Sequence, residues 1–326
     1  MKIKVKYIAW VISSVIFAIA SGEIFARYYL GLGTPPLSIS HPTIEYMYKP
    51  NQDIYRFGNH FIINQYGMRS AAFAKKRHAN ELRIMVFGDS VVNGGVLTDQ
   101  SELATSILKN KLTAIADKNA IVANISAGSW GPGNWLAYAK EYGFFDADIV
   151  VLILSSHDYA DNPTFEPLNP NTHPSKAPIS ALFEGIEKYL PRYLSLKSKN
   201  QSVTTEVDQF ATTENRKEIK KGLNDLRNFL KLAQNNSTTV LVFQHYEKLE
   251  IDRDRINLGN QHIKMICKQL GIVPISLEPY FRKSIAEGVN PYRDNIHPNK
   301  VGQRLIAEAM LAKIPNKFLE HSSSRH

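Results

Sequence analysis

The 326-residue chain has one cysteine, Cys267, so an intrachain disulfide and a thiolate metal cluster are both excluded. Cys267 lies in the amphipathic stretch Ile256 to Leu270, where a buried, inert thiol is expected. No stripe of Lys and Arg interleaved with aromatics is present, nor any nucleic-acid motif. The 39 basic against 30 acidic side chains, a net charge of +9, therefore do not point to a nucleic acid as partner. The excess is expected on solvated faces and at the N-terminus. Acidic residues are missing altogether before Glu23, whereas Lys2, Lys4 and Lys6 precede an apolar run from Ile8 to Ala20 interrupted only by Ser13 and Ser14.

A basic flank followed by such a run is the pattern of a secretory signal or signal anchor, with the lysines held on the cytoplasmic side. Ala18-Ile19-Ala20 has the small-x-small form of a cleavage site. Ile24, Phe25, Tyr28, Tyr29 and Leu30, however, prolong the apolar segment around Glu23 and Arg27. Tyr7 to Leu30 is long enough to cross a bilayer if those two charges sit near the outer interface. Residues 1–32 are expected to be a retained anchor, so that the rest faces the periplasm or cell exterior; secretion after cleavage is the alternative.

Gly33-Thr34-Pro35-Pro36 reads as a linker. The aromatic, turn-rich stretch that follows, with Tyr46, Tyr48, Tyr55, Phe57, Phe61 and Tyr66, reads as a small β-rich addition, and together they make up residues 33–80. Its aromatics either pack on the main domain or line a sugar-binding surface. The basic run Lys75-Lys76-Arg77-His78 reads as a solvated loop.

Residues 81–315 alternate strands and helices. Strands are expected near Leu82–Phe87, Ala120–Ile125, Asp148–Leu154, Thr238–Gln244 and Ile272–Ile275, and helices over Ser101–Asp117, Asn134–Phe145, Thr213–Ala233, Ile256–Leu270 and Pro298–Ala312. This pattern predicts a three-layer α/β/α domain around a mostly parallel sheet. Ile149 to Leu154 is apolar at every position, as a central strand covered on both faces must be. Between His157 and Thr213 the pattern breaks, and six prolines punctuate a segment with one short amphipathic piece, Ile179–Leu190. We expect a cap over residues 159–212, and a disordered tail over 316–326.

Two short blocks carry the chemistry. Leu82 to Phe87 ends abruptly in Gly88-Asp89-Ser90, delivering a serine to the carboxyl end of a strand, where open parallel sheets bind ligands. Far downstream, Asp294-Asn295-Ile296-His297-Pro298 puts a carboxylate and an imidazole on the loop that opens the last helix. With Asn124-Ile125-Ser126-Ala127-Gly128 after the second strand and Ser155-Ser156-His157-Asp158 after the third, the chain resembles the SGNH (GDSL-type) hydrolase family over about residues 80–313. The first and last blocks match closely. The third departs, since the family carries Gly-x-Asn-Asp and this chain has His157 at the Asn position.

The resemblance implies a flavodoxin-like SGNH hydrolase fold and a serine esterase that needs no cofactor. Ser90 would attack an ester carbonyl, His297 would take its proton, and Asp294 would hold the imidazole in the right tautomer. The Ser90 and Gly128 backbone N–H groups and the His157 side chain would form the oxyanion hole. The usual nucleophile elbow, Gly-x-Ser-x-Gly, is absent around Ser90. His157, Asp158 and Asp161, with Asp294 and His297, are also metal-ligand types, although no metallophosphoesterase order of motifs supports that use. His245 follows the fourth strand at the end of the sheet that can reach the site. Trp130 and Trp135, flanking Gly131-Pro132-Gly133, either stack on a sugar or pack internally.

With the resemblance, export, positive charge and a capped pocket imply O-acyl groups, O-acetyl above all, on cell-surface polysaccharide or another small ester. An O-acetyltransferase using the same triad, and a non-catalytic polysaccharide-binding or assembly protein on the same fold, are the alternatives.

Overall fold

A computed structural model describes residues 2–115, 118–191, 213–236 and 239–319, with side chains from residue 5 in the first helix and from residue 216 in the helix that opens at 213. The N-terminal helix α1 (Lys2–Ile24) runs on into one π-helical turn, Phe25–Tyr29. Its Val5–Tyr29 portion is 25 residues and contains an 18-residue window of mean hydropathy 1.9, long and apolar enough to cross a membrane.

Two hairpins follow, β1 (Ser38–His41) with β2 (Glu45–Tyr48), and β3 (Gln52–Arg56) with β4 (Asn59–Ile63), each antiparallel. The second turns on Phe57-Gly58, both with positive φ (51° and 77°), the conformation that matches the twist of a two-residue hairpin. Ile44, Tyr46, Met47 and Met68 bury into the main core, so the β-rich addition is packed on the domain.

That domain is built on a five-stranded parallel sheet in the order β6-β5-β7-β8-β9. Its strands are β5 (Glu81–Gly88), β6 (Asn119–Ser126), β7 (Ile149–Leu154), β8 (Thr239–Gln244) and β9 (Ile275–Ser276). In chain order this is 2-1-3-4-5, the flavodoxin-like doubly wound arrangement. Around it lie α2 (Ser90–Asn93), α3 (Ala104–Ile115), α4 (Pro132–Tyr142), α5 (Ala181–Glu184), α6 (Thr213–Asn236), α7 (Lys248–Asp252), α8 (Leu258–Gln269), α9 (Glu278–Ala286) and α10 (Lys300–Leu311).

Successive side chains of a strand face opposite ways. Met85, Phe87, Val150, Leu152 and Leu154 accordingly meet Trp135, Phe229, Leu230 and Ile263 from α4, α6 and α8. Leu82, Ile84, Val86, Val151 and Ile153 meet Leu108, Leu112, Ile306 and Met310 from α3 and α10. The three-layer expectation holds.

Several boundaries shift. The fifth strand pairs only Ile275 and Ser276 with β8, three residues beyond its expected start, because the edge strand barely enters the sheet. The helix α9 was not among the expected helices; Pro279 sits in its first turn, where a missing N–H costs nothing. The basic run is not simply solvated: the carbonyls of Ala74, Lys75 and Lys76 wrap the fully buried Arg83 guanidinium at 2.9, 2.9 and 3.0 Å, and Arg77 pairs with Asp148. Asn316–Phe318 form a 3-10 turn with Phe318 buried, so ordered chain continues past the expected start of the tail. Residues 320–326, and 192–212 of the expected cap, lie outside the described residues. The described part of that segment sits on the first hairpin, with Thr164 and Phe165 donating backbone N–H to Glu45, and Ser38 donating to the Pro174 carbonyl.

Candidate active site

Ser90 stands where β5 gives way to α2. Gly88 is required there, because a Cβ would meet Val92 at 2.3 Å and the Ile153 carbonyl at 2.9 Å. Asp89 caps α2 by accepting the Val91 N–H at 2.8 Å, and Gly94, at φ 76°, ends the helix after one turn. Ser90 is the first residue of α2, so its own N–H is left unused by the helix.

The loop after this turn is held from below by Arg69. Its fully buried guanidinium stacks 4.0 Å from the Phe61 ring and donates to the carbonyls of Asn93, Gly95 (2.7 Å) and Thr98 (2.5 Å).

The residues expected to work together are brought together. His297 Nε2 lies 2.9 Å from Ser90 Oγ across 207 positions of sequence. On the other side of the ring, Nδ1 lies 2.8 and 3.0 Å from the two Asp294 oxygens. Asp294 is about half exposed and His297 less so. Burial alone would raise the Asp294 carboxyl; the N–H groups of His297 and Ile296 and the His297 ring outweigh it and hold the pKa below the usual carboxylate value. An ionised Asp294 fixes the proton on Nδ1, and the bare Nε2 then accepts from the Ser90 hydroxyl.

His245, at the end of β8, does not touch the reacting groups. Fully buried, it faces the Ile296 carbonyl at 2.8 Å through Nε2, which must therefore carry the proton. Burial lowers its pKa and keeps it neutral. It braces the loop that carries Asp294 and His297.

Gly128, following β6, is half-buried, and a Cβ on it would meet nothing within 4 Å. It borders a cavity of about 230 Å³ between the first hairpins and the cap, lined also by Tyr46, Tyr48, Phe57, His173, Lys188 and Tyr189. Tyr46 Oη is buried without a hydrogen-bond partner. Trp130 and Trp135, by contrast, are buried core residues whose indole N–H groups donate to the carbonyls of Tyr46 and Gly88 at 3.0 and 2.9 Å, so packing is their role.

His157 departs from its expected part. Its Nδ1 lies 3.3 Å from Glu247 Oε1, and its Nε2 lies 3.3 Å from Asp89 Oδ2 and 3.6 Å from Asp158 Oδ1. Both of those aspartate oxygens are buried without a hydrogen-bond partner, so the approach of Nε2 is one of charge alone. Burial disfavours charge on the ring, but the carboxylates of Asp158, Asp89 and Glu247 outweigh it and its pKa is pushed up to about 12. The ring therefore favours its charged form, while burial and the neighbouring Asp89 hold the Asp158 carboxyl well above the usual carboxylate range; Nδ1 meets Glu247, and Nε2 makes no hydrogen bond with either aspartate.

Glu247 has no motif around it and was not anticipated. The only signal available was its position just past β8, at the same end of the sheet as Ser90. Of the metal-ligand types named from sequence, Asp294 and His297 belong with Ser90. His157 and Asp158 belong instead with Asp89, all three donor atoms lying within 4.8 Å of one another, a group in which the imidazolium itself supplies positive charge.

Fold and geometry together define an α/β protein of flavodoxin-like topology with a Ser-His-Asp relay at the carboxyl end of its sheet. No family model matches the chain, and neither does any curated protein sequence. Similar solved structures include a lipolytic protein of the G-D-S-L family from Veillonella parvula (13% identity, TM-score 0.42, covering 72% of this chain and 98% of that one). Others are a catalytic mutant of an acetylxylan esterase from Geobacillus stearothermophilus (14%, 0.46, 76% and 100%) and an alpha/beta hydrolase enzyme from the metagenome of Lake Arreo, Spain (14%, 0.44, 73% and 96%). Likenesses this distant carry no functional argument, and the reading below rests on the chain's own residues.

Proposed function

We propose that this protein is an exported, membrane-tethered serine esterase of the SGNH type that hydrolyses O-acyl esters, O-acetyl groups on carbohydrate in particular. The observation that carries the proposal is the continuous relay from Ser90 Oγ through the His297 ring to Asp294, at 2.9 and 2.8 Å.

In the first half-reaction Ser90 Oγ bonds to the ester carbonyl carbon while its proton passes to His297 Nε2. The tetrahedral intermediate collapses with loss of the alcohol, which takes that proton from His297, leaving an acyl-serine. Water then attacks the acyl carbon, giving up its proton to Nε2, and Ser90 leaves with it as the acid is released. Asp294 stays ionised throughout and offsets the charge on the imidazolium. The N–H groups of Ser90 and Gly128 are the donors assigned to the oxyanion. His157, engaged by carboxylates, is not assigned there and instead balances the acidic group under the nucleophile. The cavity at Gly128 is walled by aromatic and hydroxyl-bearing side chains, the kind of lining a sugar would meet.

Replacing Ser90 by Ala in the purified full chain and assaying an aryl acetate tests this reading: activity is expected to fall to background. Equal turnover by the two proteins would refute it and favour a non-catalytic glycan-binding role. Adding a soluble glycan acceptor and weighing acetylated product separates hydrolysis from acyl transfer to a sugar hydroxyl.

A further inference from the structure

The outer end of α1 is fastened to the cap. Glu23 accepts the backbone N–H groups of Ala181 and Leu182 at 2.9 and 3.0 Å and the Ser180 hydroxyl at 2.8 Å, so a residue of the N-terminal helix caps α5. Arg27 closes the arrangement, donating to Glu23 Oε1 at 2.6 Å and to the Ile179 carbonyl at 3.0 Å. Ala26 and Ala181 bury against each other's surroundings, and Leu182 lies against Gly22. From the other side, buried Glu184 accepts from Gly33 N–H and takes a two-pronged pair from Arg56 at 2.9 and 2.7 Å; Arg56 also donates to the Tyr189 hydroxyl. Residues 179–190 are therefore set rigidly between the helix end and the second hairpin.

Their outward face carries four large apolar side chains beside one exposed acid, Glu187. Ile179 is 99% exposed, Phe183 63%, Ile186 50% and Leu190 47%, at spacings of four, three and four residues. Residues 181–184 are α-helical and 185–189 form one π-helical turn, and large apolar side chains on one side of such a segment ordinarily face a core. None of the described residues covers it. It continues directly into the exposed apolar end of the N-terminal helix, where Phe25, Tyr28, Tyr29 and Leu30 stand out; tyrosines collect at this depth in membrane proteins. Glu184, Lys188 and Tyr189, on the inward side of the same segment, line the cavity that reaches Gly128.

We infer that residues 179–190 are an amphipathic foot lying in the outer interface of the bilayer that α1 crosses, its partner being the lipid itself. The inference rests on the anchor reading given above. It accounts for the two charges inside an otherwise apolar helix, since Glu23 and Arg27 neutralise each other and hold the foot where the helix leaves the membrane. It also holds the Lys188 side of the cavity beside the headgroups, with no tether on which the domain could swing.

The single cysteine makes the test direct. In a Cys267→Ala background, the full chain carrying Ile179→Cys, Phe183→Cys, Phe17→Cys or Asn110→Cys is labelled with an environment-sensitive fluorophore. It is then reconstituted in vesicles of phosphatidylcholine and phosphatidylglycerol containing nitroxide-bearing lipids. Labels at 179 and 183 are expected to shift to the blue and to be quenched most by nitroxides near the headgroup, that at 17 by nitroxides deep in the acyl chains, and that at 110 by neither. Labels at 179 and 183 that behave like the one at 110, while 17 is quenched, overturn the foot and leave the anchor standing. A label at 17 that is not quenched refutes the anchor and the foot with it.

Discussion

The imidazolium of His157 makes a prediction that can be worked out in advance. Its pKa in the folded chain is pushed up to about 12, against 6.5 for an unperturbed histidine. Between those values the native state holds a proton that the unfolded chain has lost. Stability from this group is thus fully present below about pH 6.5 and drains away as the pH rises toward the folded value. The limiting slope is about 1.4 kcal/mol per pH unit. The side chain is 35% exposed, so water screens its ion pairs and roughly half of that slope is expected. Over the two units from pH 7.5 to 9.5 the wild type should lose about 1.4 kcal/mol that a His157→Gln variant does not. The assay is urea unfolding of both proteins at both pH values; groups remote from His157 cancel in the double difference, and Asp89, Asp158 and Glu247, which face the ring, are read with it as one coupled site. Parallel pH dependences would mean that His157 is neutral at pH 7.5, and would return it to the pool of possible oxyanion donors.

Further outcomes follow from the same geometry. Replacing Asp294 by Asn should leave Ser90 and His297 in place but fix the wrong tautomer, lowering kcat on an aryl acetate by about 10⁴ with little change in KM. Breaking the Arg56–Glu184 pair, whose side chains are 3% and 1% exposed, by Arg56→Met should cost about 3–5 kcal/mol in urea unfolding because a buried carboxylate is left behind; a loss under about 1 kcal/mol would place the pair in contact with water. Arg69→Met should release the loop behind Ser90 and lower kcat by about 10² through misplacement of the nucleophile. Near-normal kcat in that variant would show that α2 holds Ser90 without help.

Much of this molecule can be read along the chain. An apolar run such as Ile149 to Leu154 has nowhere to go but the middle of a sheet. Alternation of strand and helix settles the parallel arrangement, and a serine ending one strand with Asp-x-x-His opening the last helix marks the side chains that meet as Ser90, His297 and Asp294, because strand ends in such a sheet converge on one edge. The lysines before an apolar segment likewise mark, without any coordinates, a helix long and apolar enough to cross a membrane. Local periodicity and short motifs carry all of this information.

Side chains that meet only because the chain folds back carry none of it. Glu247 gives no sign of its partnership with His157 ninety positions earlier, and so the sequence leaves His157 in the position of an absent amide when tertiary contact makes it a cation among carboxylates. Nothing local shows that Arg69 and Arg83 are buried charges ringed by carbonyls. Glu23 and Arg27 read as flaws in a membrane helix, whereas the fold uses them to grip residues 179–182. A buried charge is determined by what encloses it, and enclosure is a property of the folded chain.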